Sequence, residues 1–162
     1  MEVQGSWNPI KKLSLKGGYQ LLFAKDNNAI DEFKSGTVFA RDPITKQSFE
    51  LHSDDYFGLY GRSRHQVNIG INYYMNQNKD NINLRFNYRG KFGLIDTNNN
   101  SYLDKYDNFI KGHVISNITL NKYITKNISF QVFLKNLLGY KDVVNLLNNP
   151  GRTVSLKVTI KN

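Results

Sequence analysis

Residues 65–74, HQVNIGINYY, and residues 82–92, INLRFNYRGKF, decide the fold. In the first, Val67, Ile69, Ile71 and Tyr73 alternate with Gln66, Asn68, Gly70 and Asn72; in the second, Ile82, Leu84, Phe86 and Tyr88 alternate with Asn83, Arg85, Asn87 and Arg89. A period of two sends successive side chains to opposite faces of a β-strand. The same alternation recurs in EVQGSWN (2–8), LSLKGGYQLLFA (13–24), HVISNITLN (113–121), ISFQVFLK (128–135) and TVSLKVTIK (153–161). The pattern predicts an all-β, antiparallel architecture of about seven strands.

In the segments so bounded, one face carries no charge, whereas Lys16, Arg85, Arg89, Lys91, Lys135 and Lys157 fall on the other. A face turned to hydrocarbon would require this, since Lys or Arg at a bilayer midplane costs about 2–4 kcal/mol. A soluble sandwich alternates in the same way, with its apolar face turned to a second sheet. Trp7, Tyr19, Phe23, Tyr73 and Tyr88 lie near the ends of the apolar face, where interfacial girdles place aromatics. The connections alternate in length: NPIKK, NQNKD and KYITKN are short, whereas 25–62, 94–109 and 136–150 are long loops. Short turns at one rim and long loops at the other are the mark of an outer-membrane barrel.

The 162 residues suffice for one domain with a core, and the absence of Cys excludes a disulfide framework or a thiolate metal site. Aromatics make up 13% of the chain, which favours strands. With a mean hydropathy of −0.52 and no apolar run of about 18 residues, a membrane helix is not expected, while a membrane barrel of half-apolar strands stays open. The opening MEVQGSWNPIKK has no apolar leader core, so either the protein stays inside or this is not its native start. The net charge of +9 suggests an anionic partner such as a phosphate-bearing membrane surface. The basic residues form no single tract, so nucleic acid is not expected as a partner.

DTNNNSYLDKYD (96–107) resembles a calcium loop. Asp96, Asn98 and Asn100 take its first, third and fifth positions, the Tyr102 carbonyl the seventh, Asp104 the ninth and Asp107 the twelfth. Ser101 stands where the sharp turn wants Gly, and Asp107 is a methylene shorter than the usual Glu. A polar turn explains the same residues, since Asn, Asp and Ser bond their own backbone. Because strands flank the loop, a helix-flanked calcium sensor is excluded, and calcium would order a loop. Arg62 and Arg64 share the polar parity ahead of the third segment, where they could face an anionic ligand, or pair with Asp54 or Asp55. His52, His65 and His113 lie on separate segments with no nucleophile elbow, so no catalytic constellation is expected, and ordinary loop roles outweigh haem ligation.

The stretch HVISNITLNKYITKNISFQVFLKNLLGYKD (113–142), followed by NNPGRTVSLKVTIKN (148–162), resembles the C-terminal end of TonB-dependent outer-membrane receptors. Strand, short turn, strand and an N-L-L opening of a loop follow in order, then P-G-R-T begins a final strand. DYFGLYGRSRHQVNIGINYY (55–74) resembles the re-entry of a long extracellular loop in receptors of Bacteroidetes type. The resemblance implies that 1–162 is the last third of a barrel of about 22 strands. It implies an N-terminal plug, energy from an inner-membrane TonB complex, and import of siderophores, haem, cobalamin or glycans. Outer-membrane lipid and lipopolysaccharide, with the rest of the barrel and the plug, would be its partners, and some cobalamin receptors that it resembles use calcium to order loops. Plug, leader and energy-coupling box are not expected within these residues, and Asn162 stands on the apolar parity where the family ends in an aromatic. A truncated gene, a split subunit or a cloned piece would explain this; the alternatives are a soluble β-sandwich calcium-dependent binding module and a non-functional receptor remnant.

Overall fold

A computed structural model describes residues 1–42, 44–75, 79–146 and 149–161. Its elements are β1 (Glu2–Ile10), β2 (Leu13–Leu21), α1 (Asn27–Lys34), β3 (Phe39–Arg41), β4 (Ser48–Glu50) and β5 (His65–Met75). They continue as β6 (Asp80–Arg89), β7 (Phe92–Gly93), β8 (Phe109–Ile110), β9 (His113–Tyr123), β10 (Ile128–Lys135) and β11 (Thr153–Ile160). Seven strands form one open antiparallel sheet in the order β1-β2-β5-β6-β9-β10-β11, so every alternating segment of the sequence is a strand and each pairs with its neighbour in that series. The chain divides into two compact units: the sheet (1–20, 65–89, 113–162) and a loop unit (21–64, 90–112).

In the sheet, register keeps like parity beside like. One row runs Ile71, Leu84, Ile118, Leu134, Val154, and the next Tyr73, Ile82, Leu120, Val132, Leu156. At the other edge Val3 faces Tyr19 and Trp7 faces Leu15. A one-residue slip would turn every apolar side chain over, so this shared pattern pins the register. The uncharged face is open: Trp7 is 65% exposed, Leu156 65% and Ile160 71%. The buried apolar side chains of the described residues all belong to the loop unit, and no second sheet within the sheet unit covers this face. Trp7 and Tyr73 stand toward the strand ends joined by short turns; Tyr19 and Tyr88 stand toward the opposite ends.

Three details differ from the sequence expectation. Phe23 and Lys91 lie beyond the ends of β2 and β6, so neither belongs to a strand face. The charge-free face also has two exceptions at the short-turn end, because β6 starts at Asp80, on the parity of Ile82, and β9 runs on to Tyr123, which places Lys122 on the apolar parity, opposite Phe130. The Lys122 ammonium bonds Asp80, 2.6 Å away and buried, whose second oxygen accepts the Tyr123 N–H. Most of the NQNKD turn and the terminal Asn162 lie outside the described residues.

The segments 25–62 and 94–109, expected as long loops, contain a packed core with a helix and short strands of its own. Asp26 caps α1 by accepting the Asn28 N–H, and Ala29 and Phe33, one turn apart, bury against Val38, Ala40, Leu51 and Tyr56. Gly36, in the left-handed region at φ 71°, turns the chain away from the helix. Tyr102 stands edge-on to Phe33 and donates to Glu32 at 2.6 Å. Phe57 N–H bonds the Leu103 carbonyl and Lys105 N–H the Asp55 carbonyl, tying the two segments together.

Candidate functional site

The charged face of the sheet carries the candidate site. Alternation places Asn68, Asn72, Asn81, Asn83, Asn87, Asn117 and Asn121 on it, and register lines them up across strands. The Gln131 amide donates to Asn121, which donates at 2.7 Å to Asn81, so one row of amides crosses β10, β9 and β6. A second contact runs from Asn83 to Asn72. Each carboxamide offers two donors and an acceptor with two lone pairs, so such rows keep capacity for water or a polar solute after bonding one another. Lys16, Arg85, Arg89, Lys135 and Lys157 add positive charge to this face, whereas its one acid is Glu2, at the far end of β1. Gly18 and Gly70 leave room, and a concavity of about 670 Å³ opens between Gln4, Lys16, Asn68 and Arg85. A second, of about 450 Å³, is lined by Asn81, Asn121, Gln131 and Lys135. Sequence reasoning placed the charges on this face but not the amide rows, whose signal was Asn at alternate positions of β6.

Behind the last loop stands Asn136, which the sequence marked only as the start of an N-L-L motif. It is buried with φ 51°. Its amide donates to the carbonyls of Tyr140 (2.7 Å) and Pro150 (3.1 Å), its oxygen accepts the Tyr140 N–H, and its own N–H bonds Asn117. The ring of Tyr140 stacks on His113 at 4.0 Å.

The 96–107 loop folds on its own hydrogen bonds. The Asp96 carboxylate accepts the N–H groups of Asn98, Asn99 and Ser101, with Asn99 and Ser101 at φ 61° and 75°. Ser101 thus adopts the left-handed turn for which a calcium loop uses Gly. The side-chain amides of Asn98 and Asn100 both donate at 2.8 Å to one oxygen of the fully buried Asp104. Asp107 accepts from Thr97 and from the Asp104 N–H. Among the described residues, no group of three or more His, Cys, Asp or Glu side chains gathers as a metal cluster. Burial, then the charges of Asp96, Asp107 and Asp104, push the Tyr60 phenol up to about 12.

The two arginines separate. Arg62 is exposed, while Arg64 donates to the Phe57 carbonyl at 3.1 Å and lies over the rings of Phe57 and Phe23. The Arg64 guanidinium is thereby engaged in packing. Asp55 pairs with Lys105 at 2.5 Å; burial pushes its carboxyl up, but the Lys105 bond and the His52 N–H outweigh this and hold it below the usual carboxylate value. The histidines have separate partners: His52 lies near Glu50, the Tyr19 hydroxyl meets His65 at 2.8 Å, and His113 meets Tyr140.

The sheet is thus open and antiparallel, with an exposed, largely uncharged face and an amide-lined basic face. No protein-family model matches the chain, and no curated protein matches it by sequence. Among solved structures, a doubly substituted ferric enterobactin receptor, PfeA, from Pseudomonas aeruginosa is similar in fold, with a TM-score of 0.65 and 11% identity. The match covers 98% of this chain and 21% of the receptor, so the chain spans about a fifth of that protein's length. The fold is that of part of this receptor's β-barrel.

Proposed function

We propose that the chain forms part of the wall of an outer-membrane transport receptor. Its uncharged face meets lipid, and its amide-lined basic face borders the path of a scarce nutrient of siderophore, haem or cobalamin-like type. The observation that carries this reading is the distribution of burial: large apolar side chains stand exposed on the sheet while the loop unit keeps its own sealed core. The remaining barrel and plug would complete the lumen, and the inner-membrane TonB complex would act through that plug. Refolding tests it. The chain should give a folded species in detergent and aggregate without it; a folded monomer in plain buffer refutes the reading.

We further propose that calcium from outside the cell occupies the 96–107 loop. Ligand spacing and the left-handed turn at Ser101 support this; the amide groups that Asn98 and Asn100 now offer to Asp104 must rotate to present oxygen. Calorimetric titration should show binding at millimolar calcium or tighter, abolished in Asp104→Ala. No heat in the parent chain rejects it.

A further inference from the structure

The rim formed by the short turns has a composition of its own. Lys11 and Lys12 lie in the first turn, Lys79 next to the second, Lys122 and Lys126 around the third, and Lys161 just past β11, all exposed. Of the acids in the chain, all but Glu2 and Asp80 fall in the long loops, and Asp80 is bonded to Lys122. The rim therefore has lysines with one buried counter-charge, which holds Lys122 in place on the uncharged side of the sheet.

Beside these lysines stand exposed isoleucines. Ile10 precedes Lys11 and is 56% exposed; Ile124 lies between Lys122 and Lys126 at 58%; Ile160 precedes Lys161. An apolar side chain next to a lysine, repeated at three places along one rim, suits a boundary where the isoleucine enters acyl chains and the ammonium reaches up to a headgroup. Trp7 and Tyr73, toward the same strand ends, supply amphipathic rings at that level.

We infer that this rim binds the headgroups of anionic phospholipids in the leaflet on the short-turn side. The inference rests on the barrel-wall reading, since only then does the rim lie at a membrane surface. Lysines near an anionic surface each strengthen association roughly fivefold, within a Debye length of about 10 Å at 0.1 M salt.

The test uses the full chain and the variant Lys11→Gln/Lys12→Gln/Lys126→Gln, each refolded with vesicles of phosphatidylcholine alone or with added phosphatidylglycerol. Protection of Trp7 from an aqueous quencher reports insertion, and co-flotation at low and high salt reports affinity. The parent chain should insert into both and float some thousandfold more tightly with phosphatidylglycerol; high salt should remove that gain and the triple substitution should cut it about a hundredfold, each leaving insertion intact. Inorganic phosphate at millimolar concentration should not remove it, and if it does, the lysines take free phosphate and the inference falls. Insertion into both vesicles with equal affinity overturns the inference and leaves the barrel reading standing. Failure to insert into either overturns both. Binding to anionic vesicles without Trp7 protection marks a purely electrostatic attachment and also overturns the inference.

Discussion

Replacing Leu84 by Arg tests which medium the uncharged face meets. Leu84 stands between Ile71 and Ile118, four residues from Asp80 at the short-turn end of β6 and five from Arg89 at the other. At about 3.4 Å per residue and a tilt near 40°, it lies roughly 10 Å above Asp80, near the middle of an apolar band about 25 Å tall. An arginine at that depth costs about 2–4 kcal/mol. Thr119→Arg supplies the control, because Thr119 lies on the opposite face between Asn83 and Phe133, where a surface substitution costs about 0.5 kcal/mol. The difference, about 1.5–3.5 kcal/mol, lowers the ratio of folded to unfolded chain by a factor of about ten to several hundred. Denaturant unfolding in vesicles, followed by the fluorescence of the single Trp, Trp7, measures both variants against the parent. Equal losses for the two substitutions would refute the assignment of faces.

Four further outcomes follow from other contacts. Asn136→Ala removes the amide bonds to Tyr140 and Pro150 and forces alanine to φ 51°; protection of the 136–150 loop from proteolysis should fall about tenfold, with the strands unaffected. Gly93→Ala drives a methyl group into Leu103, which is fully buried, and should cost the loop unit about 1–3 kcal/mol in hydrogen-exchange protection. The folded Asp55 carboxyl lies below its ordinary value of 3.8, so its contribution is complete above that value and is lost as pH falls through the folded pKa. Acid titration should therefore loosen the loop unit below about pH 4, and Asp55→Asn should flatten this dependence. Calcium in the 96–107 loop would offset the charges of Asp96, Asp107 and Asp104, so the ultraviolet titration of Tyr60 should move down from about 12 on adding calcium, and not in Asp104→Ala.

The seven strands were legible because alternate side chains fall on opposite faces, one largely uncharged and one polar, and β6 shows this from Asn81 to Arg89. The loop unit was not, because its eight-residue helix and strands of two or three residues owe their existence to partners far along the chain. Phe33 meets Tyr102, and Tyr56 pairs with Asp104, contacts that no local window contains. Signals for α1 were nevertheless present in Asp26, in the four-residue spacing of Ala29 and Phe33, and in Gly36. The ligand spacing of residues 96–107 could be read directly, but not that Asp96 would spend its oxygens on three backbone N–H groups. Nor could parity say that Arg64 would be taken up by Phe57 and Phe23, since both are contacts of tertiary structure.

The loop unit is assembled from two stretches of chain with the β5–β6 hairpin spelled out between them. On a ribosome, Phe33 and Tyr56 emerge long before Tyr102 and Leu103, so a nascent chain halted ahead of residue 90 holds half of an interior with no lid. Whatever escorts the polypeptide must shield those rings until the second stretch arrives.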